Sequence, residues 1–125
     1  MNTLTIDKIK QVVEQETGYD LTDQRRIREQ VYTRAVYFTL CRNNTLASFQ
    51  AIGNSVNKNH ATVLHGVRLY EDTLERFDKT YSELYKRLQN KILMKQDTRE
   101  KEIKDIREQI DNALERLQRL ESSVF

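Results

Sequence analysis

An all-α fold is the first prediction from this sequence, and three observations carry it. The 125 residues contain no proline and only three glycines, Gly18, Gly53 and Gly66. Strands and tight turns need more of both, whereas helices need neither. Apolar residues recur three and four apart along most of the chain, which is the period of a helix face. The length allows one ordinary domain or a small domain with an extension.

The first element spans residues 5–17. Ile6, Ile9, Val12 and Val13 share one face. Thr5 is placed to cap its start and Gly18 to close it in a left-handed conformation. Tyr19, Asp20 and Leu21 form a connector, and Thr22 with Asp23 offers caps for a further helical segment. The pattern resumes over residues 26–42, where Val31, Ala35, Phe38, Leu40 and Cys41 mark a buried face that Val36 and Tyr37 widen. Asn43, Asn44 and Thr45 stop it, as asparagine pairs favour turns. Ser48 caps a short helix carrying Phe49, Ile52 and Val56. After Asn57 and Lys58, Asn59 caps the next, with Val63, Leu64 and Val67 facing inward. Two short helices across a tight polar turn are a helix-turn-helix.

Beyond Tyr70 the spacing becomes heptad-like. Leu74, Phe77, Tyr81, Leu84 and Leu88 form one run; Ile103, Ile106, Ile110, Ala113, Leu117, Leu120 and Val124 form another, one residue out of phase. Polar residues 95–102 separate them. Either one long helix carries a stutter, or two helices fold back as a hairpin. Asp97 with Glu100 resembles a capping box, which favours the hairpin. The seam can pack internally or join two chains. Flanking Arg107, Glu108, Glu115 and Arg116 favour helix pairing, so a homo-oligomer through residues 71–125 is expected, with a different protein partner also open.

Composition narrows the function classes. A net charge of +2 is too small to indicate nucleic acid, so any basic patch must be local. No paired carboxylates, triad or phosphate loop suggests an enzyme, and no cofactor is implied. Cys41, the single cysteine, sits beside Phe38 and Leu40 and reads as a buried thiol. His60 and His65 lack a cysteine or acidic partner at ligand spacing, so no metal site is expected. Tyr32, Tyr37, Tyr70, Tyr81 and Tyr85 read as core or interface aromatics rather than base-stacking platforms. No charged-then-apolar leader opens the chain and no apolar run reaches membrane-spanning length. A cytoplasmic location without a membrane partner is the expectation.

One run is specific. Ile52 and Gly53 are followed by His60, Thr62, Val63, Leu64 and His65, with Arg68 beyond. Arg34 stands fourteen residues before Ser48, and Arg26 and Arg28 lie further upstream. Residues 1–70 on this pattern resemble the helix-turn-helix DNA-binding domain of the bacterial replication initiator DnaA. The resemblance implies a DnaA/Trp-repressor-like fold that binds double-stranded DNA. Residues 71–125 would be a helical oligomerisation or packing region. A recognition helix presents its N-terminal residues to base edges in the major groove. Asn59, His60, Ala61 and Thr62 are the candidate base contacts: asparagine suits adenine, the alanine methyl suits thymine, and the threonine hydroxyl suits a base or phosphate. Arg25, Arg26, Arg28, Arg34, Ser48, Lys58, His65 and Arg68 are the candidate backbone contacts. Each has an ordinary alternative. Arg25 to Arg28 can be a solvated face flanked by Asp23 and Glu29, Arg34 can pair with a carboxylate, and the histidines can be structural.

The sequence departs from the family in the turn, which is one residue shorter and holds Asn57 and Lys58 where the family has glycine and arginine. Asn59 replaces an acidic residue and Ala61 a threonine, both base-reading positions. DNA binding therefore carries over more readily than the nine-base-pair DnaA box. The chain has no Walker-type phosphate loop. The expectation is a stand-alone DNA-binding module: an accessory protein, regulator or competitor at a replication origin or promoter, including one carried by a phage or mobile element. The rival reading is a scaffolding protein whose helices serve assembly.

Overall fold

The computed structural model describes residues 5–25 and 27–123, with side chains described at all of these except 95–102 and 120–123. The described residues are helical or in loops, without a strand: α1 (Ile6–Thr17), α2 (Arg28–Asn44), α3 (Phe49–Asn54), α4 (His60–Leu69), a π turn (Tyr70–Leu74), α5 (Glu75–Phe77) and α6 (Lys79–Ser123). They form two compact units that divide between Leu93 and Met94, with α6 contributing to both.

The ends of the first helices follow local chemistry. The Thr5 hydroxyl accepts the Lys8 N–H, and Gly18, at φ 73°, closes α1 by donating its N–H to the Glu14 carbonyl. Residues 18–25 form a loop, not the further helix that Thr22 and Asp23 suggest. Asp20 accepts the Thr22 N–H at 2.9 Å and Asp23 accepts the Arg25 N–H at 3.0 Å, so both carboxylates close turns instead of capping a helix. Leu21 plugs the core below, its N–H donated to the Glu14 carboxylate.

α2 is the axis of the first unit. Every residue from Thr33 to Cys41 is buried, so this helix is enclosed on all sides rather than on one face. Ile9, Val12 and Val13 of α1, Ile52 of α3, and Val63 and Val67 of α4 belong to the same core. α4 reaches α2 through Gly66, where an added Cβ would stand 2.5 Å from Cδ2 of Phe38.

The first heptad run is largely core as well. Leu74 and Leu88 are buried, joined by Ile92, while Tyr81 and Leu84 pack against them; Phe77 is 81% exposed. The compact unit therefore extends past residue 70. Asn44 and Gln89 exchange amide hydrogen bonds of 2.8 and 2.7 Å, tying the end of α2 to α6. Tyr70 stacks on Tyr85 at 4.9 Å, and Tyr32 meets Tyr81 edge-on at 5.2 Å. These tyrosines are core and packing aromatics, in agreement with the sequence.

The hairpin expectation is corrected, since Tyr81, Leu84 and Leu88 of the first run and residues 103–120 of the second fall within the single helical element α6, while Leu74 and Phe77 precede it in the π turn and α5. Residues 95–102 hold no glycine or proline and are mostly strong helix formers. A cap pair without a chain breaker does not end a helix, and the stutter is absorbed. Among the described residues, no helix is long and apolar enough to cross a membrane.

Gly66→Ala pushes a methyl into the enclosed Phe38 ring and should destabilise the fold by about 1–3 kcal/mol, read as a lower urea midpoint; an unchanged midpoint would show that the ring can yield. Cys41 is buried, and burial pushes its thiol up to about 12 from an ordinary value of 9.0. A thiol-specific disulfide reagent at pH 8 should leave the native protein unlabelled and label the urea-unfolded chain. Because the unfolded thiol ionises first, stability should fall as pH rises from about 9 towards 12.

Candidate nucleic-acid interface

The two short helices are set by a turn built on one glycine. The Gly53 carbonyl accepts the Val56 N–H at 3.0 Å and the Lys58 N–H at 2.9 Å. A Cβ at Gly53 would lie 2.5 Å from the Lys58 carbonyl oxygen, too close for any other residue without opening the turn. Asn57 takes a left-handed conformation at φ 60°, which asparagine tolerates better than most side chains. Tyr37 of α2 fastens the turn from below, its hydroxyl 2.7 Å from that of Ser55, which in turn donates to the Ile52 carbonyl.

α4 starts at Asn59, whose side-chain oxygen accepts the Thr62 N–H at 2.9 Å and the Thr62 hydroxyl at 3.0 Å. Asn59 and His60 are exposed, and Ala61 and Thr62 are half-buried. Further along, His65 and Arg68 are exposed.

Between α2 and α4 lies a cleft of about 270 Å³ whose lining includes Arg34, Lys58, Thr62 and His65. These four, scattered in sequence, are brought together. Phe38 and Gly66 line it too. Arg34 is only 5% exposed. Its Nη1 donates to the Asp23 main-chain carbonyl at 2.8 Å, and no carboxylate pairs with it among the described residues. Burial lowers its pKa from the ordinary arginine value, and the nearby Asp23 charge partly offsets this. Lys58 donates to the Gln24 amide oxygen at 2.8 Å, again a neutral partner.

The remaining candidates do not line this cleft. Arg25 is exposed in the loop before α2 and held by Asp23 at 2.8 Å. Arg28 stands over the Tyr32 ring at 5.2 Å. Ser48 is exposed and caps α3 by accepting the Ala51 N–H. Arg26 lies outside the described residues. Gln24 escapes sequence reasoning because nothing local marks a loop glutamine as the support of a lysine 34 residues away. Among the described residues, no three His, Cys, Asp or Glu side chains gather as a metal-binding group.

The family model described as the bacterial dnaA protein helix-turn-helix matches residues 6–69. No curated protein and no solved structure matches the chain. The matched stretch is just over half of the sequence and takes in α1 to α4, the elements that build the turn and the cleft. By that match, the chain belongs to the bacterial DnaA helix-turn-helix family of DNA-binding domains.

Proposed function

We propose that this chain reads duplex DNA with α4 in the major groove, prefers particular sequences, and acts without catalysis. Its place is in the cytoplasm, as an accessory or regulatory protein in replication initiation or transcription. DNA binding as such follows from the family; the observation that supports the finer reading is Arg34. The Asp23 charge offsets the cost of burying Arg34 only in part, and a bound anion would offset the rest. Arg34 lines a cleft together with Lys58, Thr62 and His65, beside the N-terminal turn of α4. A DNA phosphate seated there would supply the missing charge while the helix end faces the bases.

In this arrangement Asn59, His60, Ala61 and Thr62 meet base edges. Arg34, Lys58 and His65 meet the backbone in the cleft, and Arg25, Arg28, Ser48 and Arg68 meet it around the rim. Arg26 joins them by sequence position alone. Phosphate contacts give affinity and salt dependence, and base contacts give the preference.

The second unit supports pairing of two copies. Ile103, Ile106, Ile110, Leu114 and Leu117 are between 38% and 57% exposed along α6. The expected seam positions Leu120 and Val124 lie where side chains are not described. Joining two chains through this stripe presents two copies of α4 to paired half-sites.

Arg34→Met, which removes the charge and keeps an unbranched side chain, should still unfold in one cooperative urea transition. On a randomised duplex library at two salt concentrations, it should retain less DNA of every sequence and flatten the salt slope by about one. Unchanged retention removes Arg34 from the backbone contacts, and a wild type that passes a DNA column at low salt removes the DNA reading and leaves the scaffolding one. For the seam, Ile106→Asp with Ile110→Asp should halve the mass seen by light scattering. Affinity for a two-half-site duplex should drop roughly 100-fold while a single half-site is bound as before. A wild type that stays monomeric at high concentration hands the stripe to a different protein.

A further inference from the structure

We infer that Asn59 reads its base pair as a hydrogen-bond donor only, selecting guanine and rejecting cytosine, with Thr62 as an acceptor beside it. This rests on the proposed seating of α4 in the major groove. The seating is supported independently of the helix end by the nearly buried Arg34, which lines the same cleft as Thr62 without a carboxylate partner.

The inference follows from which atoms are already engaged. The Asn59 side-chain oxygen accepts two hydrogen bonds, from the Thr62 N–H at 2.9 Å and the Thr62 Oγ at 3.0 Å. A backbone N–H can only donate, so the atom facing it must be the amide oxygen, which fixes the orientation of the amide. An amide oxygen has two lone pairs, and both are used. Asn59 is exposed, and what it has left to offer is the Nδ2 amino group with its two protons. Thr62 has given its only hydroxyl proton to Asn59 and keeps lone pairs alone.

Asparagine ordinarily pairs with adenine by accepting from N6 and donating to N7. That mode needs the oxygen. Releasing it would break the cap of α4 and strand the Thr62 N–H. A donor-only group finds two acceptors on guanine, O6 and N7, and a single acceptor on adenine or thymine. Cytosine presents only its amino donor and is repelled. Thr62, as acceptor, suits an amino group of cytosine or adenine on a neighbouring base. The adenine contact expected for Asn59 from residue type alone is therefore replaced by a guanine contact.

Asn59→Asp tests this in the full chain. A carboxylate still accepts the Thr62 N–H and suits a helix N-terminus, so the thermal melt should be close to that of the wild type. It removes both donors. In selections from a randomised duplex library, the wild type should favour guanine over cytosine at one base pair by roughly five- to 150-fold. The variant should keep the rest of the motif and turn to cytosine or adenine there. If the carboxylate abolishes retention, Asn59→Ser, a shorter neutral cap, decides. A relaxed base pair supports the inference and a retained guanine overturns it. Identical motifs from wild type and variant, or a wild-type cytosine at the pair that changes, overturn it while DNA reading stands. A wild type that enriches no motif brings down the sequence-reading proposal itself.

Discussion

Two neighbouring side chains of α2, Tyr37 and Phe38, fix where α4 lies. Tyr37 is buried and reaches the turn through Ser55, while the Phe38 ring lies where only a glycine, Gly66, lets α4 come down onto it. Neither contact is strong alone: one is a hydrogen bond, the other a close approach. Their effect comes from α2, whose enclosure from Thr33 to Cys41 surrounds both side chains with packed core. Gly53 adds the third constraint, holding the start of α4 against the end of α3. The cleft between α2 and α4 is therefore a consequence of core packing, and its chemistry is laid over a rigid frame.

Much of this frame is legible in the sequence because caps act over three or four residues. Thr5, Gly18, Ser48 and Asn59 all close the helices that their positions suggest. The enclosure of Cys41 and Tyr37 is visible from the apolar density around them. What fails is competition between local signals. Asp20 and Asp23 are good caps by type, yet a nearer backbone N–H in the loop claims each carboxylate. Asp97 and Glu100 look like a start, but nothing before them breaks the helix.

The site is legible by residue type and not by state. That Arg34 and Lys58 are candidates can be read from their positions. That Arg34 is buried without a carboxylate, and that the Asn59 oxygen is spent on its own helix, cannot. Both depend on which partner wins in three dimensions. Arg34 meets a carbonyl eleven residues away across the loop, and a hydroxyl proton goes to one acceptor among several. Residue type sets what a group can do; the network decides what remains available for a ligand.

The loop before α2 resolves an apparent conflict between a net charge of +2 and a partner as anionic as DNA. Its residues support two cleft cations through neutral oxygens: the Asp23 carbonyl holds Arg34, and the Gln24 amide holds Lys58. Gln24 is oriented for this by donating to the Thr22 carbonyl. The carboxylates of the same loop are turned elsewhere, Asp20 to Thr22 and Asp23 to Arg25. Neutral oxygens fix the direction of a cation and leave its charge uncancelled, whereas a carboxylate would do both. Exposed pairs such as Arg42 with Glu71 balance charge away from the cleft lining. The chain can thus be nearly neutral in sum and still hold a positive cleft beside α4, since affinity for a phosphate depends on the field at that point and falls off within about 8–10 Å in physiological salt.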